Sequence, residues 1–146
     1  MKTRASMFAT SIVVSGLALS LSAAAAPQLA EHLPAAQTQG EVTYISGGIG
    51  QTEADAIKHV ARYYPLELEF LLKAKSKDEH VAKVRVRIKD EHHKMVLSAT
   101  SEGPFLLAKL PAGKYTISAE RNHEVKNREI QIVANQNRRV VFEWQS

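Results

Sequence analysis

The chain has no cysteine among its 146 residues. That excludes a disulfide-stapled fold, a thiolate metal site, a cysteine nucleophile and a lipid anchor attached through cysteine. Nucleotide motifs are missing too. No lysine follows Gly50, as a phosphate loop would require, and Ala54 and Asp55 stand near where a dinucleotide fingerprint has its last glycine. No G-x-S-x-G context marks Ser98, Ser101 or Ser118 as a nucleophile. Beyond the first 26 residues there is no low-complexity tract, and no internal repeat is visible. These absences point away from an enzyme and from any cofactor.

What is present begins with an export signal. Lys2 and Arg4 precede an apolar stretch from Met7 to Leu21, and the small residues Ala23 to Ala26 end at Pro27. Thr10, Ser11, Ser15, Gly16, Ser20 and Ser22 interrupt the stretch, which falls short of the roughly 20 strongly apolar residues of a membrane span. Cleavage after Ala25 is expected, giving a periplasmic or secreted protein with no transmembrane segment. Removing Lys2 and Arg4 from 19 basic residues leaves 17 against 15 acidic ones, a net of +2. So small an excess on an exported chain argues against a nucleic acid partner.

Residues 26–43, with Pro27, Pro34 and Gly40, read as a linker or disordered arm. Residues 44–65 read as a glycine-rich turn (Gly47, Gly48, Gly50) leading into a helix over about 52–63. Thr52 with Asp55 imitates a capping box, Ala54, Ile57, Val60 and Ala61 form one apolar stripe, and Pro65 closes the helix. From Leu66 the apolar period becomes two. Leu66, Leu68, Phe70 and Leu72 alternate with other residues, as do Val84, Val86 and Ile88, and then Tyr115, Ile117 and Ala119. Shorter runs at 95–99, 105–108, 125–133 and 138–144 complete seven strands, with Asn122-His123 as a hairpin turn. The expected fold is mainly β: a seven-stranded antiparallel sandwich over residues 66–146, preceded by one short helix.

The segment from Gly103 to Ile117 (GPFLLAKLPAGKYTI) resembles the second half of carboxypeptidase regulatory-like domains, which are prealbumin-like sandwiches. The resemblance covers residues 66–146 and implies a non-catalytic module, of the kind found in small exported bacterial proteins. Phe105, Leu110 and Tyr115 would enter one core, with Pro111 and Gly113 turning the chain between strands.

Two surfaces carry candidate chemistry. Lys83, Arg85, Arg87 and Lys89 alternate with core residues, so period two places them on one outward ribbon suited to an envelope protein or another anionic envelope component. Glu67 and Glu69, expected on a solvated outer face, could partly neutralise the ribbon across the ladder. The second surface is the turn Gly47, Gly48, Gly50 and Thr52, whose backbone N–H groups at a helix start could meet an anion or partner. The six histidines (His32, His59, His80, His92, His93 and His123) show no metal-ligand spacing. The weak alternative is a small-ligand or metal-binding protein in which His80 and His123 meet at one end, with Asp78 or Glu79.

Overall fold

The computed structural model describes residues 30–146 and forms ten strands among them. The signal segment at 1–25 and the first residues of the arm at 26–43 lie outside the described residues. In chain order the elements are β1 (Gln37–Gln39), β2 (Val42–Gly47), α1 (Gln51–Ala61), β3 (Leu66–Lys73), β4 (Glu79–His80), β5 (Arg85–Asp90), β6 (Met95–Thr100), β7 (Phe105–Lys109), β8 (Gly113–Arg121), β9 (Glu124–Ile132) and β10 (Arg138–Gln145). Two sheets face each other. The larger, sheet A, runs β1-β2-β7-β3-β10 with β4 also on β3, and sheet B runs β6-β5-β8-β9.

The fold is the expected β-sandwich with a helix, and all seven expected strands are there, but the helix lies between β2 and β3 and does not precede the sandwich. Ten strands replace seven because β1 and β4 are too short to display a period of their own, and β2 reads as an apolar run before glycines, without alternation. β2 pairs with β7, Thr43 opposite Lys109 through Gly47 opposite Phe105, and β1 pairs with β2. The stretch expected to be arm and turn therefore supplies two strands of sheet A. Nor is the sandwich wholly antiparallel, since β10 lies parallel to β3 from Arg138 opposite Leu66 to Gln145 opposite Lys73.

The core between the sheets takes Leu66, Leu68, Phe70, Leu106, Phe142 and Trp144 from sheet A, against Val86, Ile88, Leu97, Ile117 and Ala119 from sheet B. A second, smaller core lies on the other side of sheet A, where Ile45, Phe105 and Leu107 meet Ala54, Ile57 and Ala61 of α1. β7 is thus apolar on both faces, which is why it reads as a continuous run instead of an alternating one. Phe105 does not share a core with Leu110 and Tyr115: one sits under the helix, the others between the sheets. Period two decides this, because Phe105 and Leu110 are an odd number of residues apart. The Tyr115 hydroxyl donates to the Pro111 carbonyl at 2.7 Å, tying the strand to the turn before it.

The crossing from sheet B to sheet A runs through residues 101–104. Its buried Ser101 accepts the Val84 N–H at 2.9 Å, and Ser46 of β2 accepts the Glu102 N–H at 2.9 Å. A side chain protects the open edge of β6. Gln39 accepts the Ser98 N–H at 2.6 Å and donates to the Ser98 carbonyl at 3.0 Å, occupying backbone groups that another strand could otherwise pair with.

Helix α1 starts differently from the expected capping box. Gly50 is the N-cap, with φ 84° and ψ 154°, and no side chain caps the helix. Glu53 instead reaches back and accepts the Gly48 N–H at 2.6 Å. At the other end Asn137 donates to the carbonyls of Ala61 and Tyr64, both at 2.9 Å, supplying partners that a helix terminus lacks.

Candidate binding face

The outward residues of sheet B share one open surface. Register aligns Thr100, Arg85, Glu120 and Val125 in one row, Ser98, Arg87, Ser118 and Asn127 in the next, and Met95, Lys89, Thr116 and Glu129 in a third. Lys114 and Gln131 follow. Arg85, Arg87 and Lys89 are all exposed, as period two requires. Lys83 is not part of the strand: its φ of 59° turns it away, and its Nζ lies 3.0 Å from Glu102 on the crossing loop. The ribbon is therefore three cations long, and Lys83 flanks it.

Neutralisation comes from an unexpected residue. Glu120, on β8 beside β5, lies 3.5 Å from both Arg85 and Arg87. Glu67 and Glu69 take no part, because β3 belongs to the other sheet. Lys89 and Lys114 have no acidic partner within 4 Å among the described residues. Apolar side chains edge this face: Met95, Val125 and Val133 are among the exposed large hydrophobics. The β8 contribution was legible, since Lys114, Thr116, Ser118 and Glu120 alternate with the inward Tyr115, Ile117 and Ala119.

Glu67 and Glu69 are not solvated either. They lie on the helix side of sheet A, where parallel pairing sets Arg139 opposite Glu67. Glu69 is 7 % exposed, accepts a hydrogen bond from Arg139, and holds His80 Nε2 at 2.9 Å. Burial pushes the Glu69 carboxyl up, but the bonds from His80 and Arg139 together bring it below the usual carboxylate range. Burial raises the Glu67 carboxyl, Arg139 pulls it back, and Glu69 adds to the rise, leaving it above that range. A carboxyl depressed on folding stabilises the protein above its unfolded value, and that contribution disappears as pH falls through the folded one. Glu69→Gln is therefore expected to cost about 1–2 kcal/mol at pH 7. The deficit should shrink as pH drops toward 3, as thermal melts at both values will measure.

The glycine turn is committed to packing. A Cβ on Gly47 would lie 2.6 Å from Pro34 Cγ, and one on Gly48 would lie 2.5 Å from the Phe105 ring. Gly48 also has φ 99°, and its N–H is already donated to Glu53. Thr52 is exposed in the first turn of α1. Gly48→Ala should cost about 2 kcal/mol through backbone strain and the ring clash. Gly50→Ala, with φ 84° but open space around it, should cost about 1 kcal/mol by the same melts.

The histidines stay apart. His80 sits on β4 with its ring 5.3 Å from that of Phe105, beside a depression lined by Gly48, Lys58 and Pro104. His123 occupies the β8–β9 turn at φ 65°, beside a different depression lined by Lys83, Arg85 and Glu120. Among the described residues no three His, Asp or Glu side chains come together as a metal site. No described helix is long and apolar enough to cross a membrane.

The sequence matches no protein-family model and no curated protein.

Proposed function

We propose that this protein is an exported, non-catalytic β-sandwich module of the carboxypeptidase regulatory-like, prealbumin-like kind, which docks an anionic partner of the cell envelope. The docking surface is the outer face of sheet B. One observation carries the reading: α1 covers one outer face of the sandwich, while no described element covers the other, which presents Arg85, Arg87, Lys89 and Lys114. Glu120 offsets part of that charge, and Lys89 and Lys114 keep theirs. Export rests on the signal-like first 26 residues, and the module type on the Gly103 to Ile117 segment.

The test is partner capture from a native envelope fraction, with the wild type and Arg85→Glu/Arg87→Glu compared. Both side chains are solvent-facing but lie beside Glu120, so the variant should lose about 1–2 kcal/mol and is checked as folded by circular dichroism before capture. Capture should disappear in the variant, and should fall with added salt in the wild type. Equal capture by both proteins would overturn the reading.

A further inference from the structure

The open face of sheet B is not flat. Its central strand β8 presents the short hydroxylated side chains Thr116 and Ser118, both half-buried. The strands on either side present longer ones, Arg87 and Lys89 from β5 and Asn127 and Glu129 from β9, all exposed. Short residues between two long rows make a trough, whose volume is about 480 Å³. That lies within the range of small-ligand sites, roughly 300–1,000 Å³. His93, at φ 60° on the β5–β6 turn, also lines it.

The two walls differ in chemistry. The β5 wall is cationic, with Arg87 and Lys89 about 7 Å apart along the strand. The β9 wall offers an amide and a carboxylate beside the Arg128 guanidinium, which lies over the Phe142 ring at 5.6 Å, and Ser118 donates a hydrogen bond to Asn127 across the floor. A guanidinium, an ammonium and the Thr116 hydroxyl suit a group with several anionic oxygens, the Ser118 hydroxyl being donated to Asn127. The opposite wall suits hydroxyl groups. Among the described residues the trough is lined by no Phe, Tyr or Trp, so a nucleobase would find only the small His93 ring to stack on.

We propose that the trough over β8 binds a phosphorylated sugar, with its phosphate toward Arg87 and Lys89 and its hydroxyls toward Asn127 and Glu129. This rests on the reading of the sheet B face as the binding surface and names the chemistry it recognises. The ligand can be a free sugar phosphate or a phosphorylated unit of a glycan.

The experiment titrates the ¹⁵N-labelled chain with glucose 6-phosphate, its methyl glycoside, glucose and inorganic phosphate. Both phosphorylated sugars should shift amides at Arg87 to Lys89, Thr116 to Ser118 and Asn127 to Glu129. Glucose or phosphate alone should bind at least about tenfold more weakly, as expected when one side of a two-sided contact is missing. Binding of the glycoside assigns a glycan unit, whereas binding of the free sugar phosphate alone assigns the free metabolite. Ser118→Leu fills the floor without changing any charge and should weaken sugar phosphate binding at least about tenfold. Lys89→Gln is the second variant, with the same expectation, should Ser118→Leu fail to fold. No localised shifts, or unchanged binding by the folded variants, would overturn the proposal. In that event, loss of envelope capture on charge reversal would still uphold the broader docking reading.

Discussion

Trp144→Ala is expected to lower the unfolding free energy by about 3–5 kcal/mol, the cost of truncating a large side chain in a packed core. Trp144 is 1 % exposed and sits among aromatic rings, with its ring centroid 6.4 Å from those of Phe70 and Phe142. Its indole N–H donates to the Glu124 carbonyl at 3.2 Å, which ties the last strand of sheet A to β9 of sheet B. Trp144→Phe keeps most of the packing and loses this bond, so it should cost only about 1–2 kcal/mol. Denaturant titration followed by far-ultraviolet circular dichroism separates the two variants. Equal losses would mean that the cross-sheet bond, and not ring volume, holds β10 in place. Because this is the single tryptophan of the chain, wild-type fluorescence reports directly on the docking of β10.

Gly103→Ala should cost about 3 kcal/mol, at the upper end for overpacking. A Cβ there would fall inside contact distance of the Gly47 carbonyl and 2.9 Å from the Gly47 Cα. Both are backbone atoms, so no rotamer can relieve the clash. The loop that crosses from sheet B to sheet A would have to lift from β2, breaking the Ser46 bond to Glu102. Gly40→Ala is the control. Its φ of 59° disfavours a side chain, but nothing lies within 4 Å, so about 1 kcal/mol is expected. Thermal melts of the pair would overturn the packing account if the two losses were equal.

The fold was legible wherever a long strand has one face in the core. Val86 and Ile88, or Tyr115, Ile117 and Ala119, repeat at period two because the other face of sheet B meets solvent. The same logic exposed Arg85, Arg87 and Lys89, and it would have exposed Thr116, Ser118 and Glu120. Legibility stopped at sheet A. Alternation put Glu67 and Glu69 correctly opposite the main core, but could not show that β10 would bring Arg139 beside them. Thr52 and Asp55 match a cap in spacing, yet Glu53 makes the hydrogen bond to the turn, since Gly50 and not Thr52 is the N-cap.

By itself, then, the sequence determined the sandwich class, the seven strands from β3 and β5 to β10, the helix and the set of cations on β5. Each of these follows from a periodicity or, for β7, a continuous apolar run written within about ten neighbouring residues. Only the tertiary structure decided that β2 enters sheet A, that β10 runs parallel to β3, that Glu120 sits between Arg85 and Arg87, and that Thr116 and Ser118 floor a trough. The physical reason is that strand neighbours are chosen by long-range pairing and by burial on both sides of a sheet. A local period records which way a side chain points, and carries no information about which strand will lie next to it.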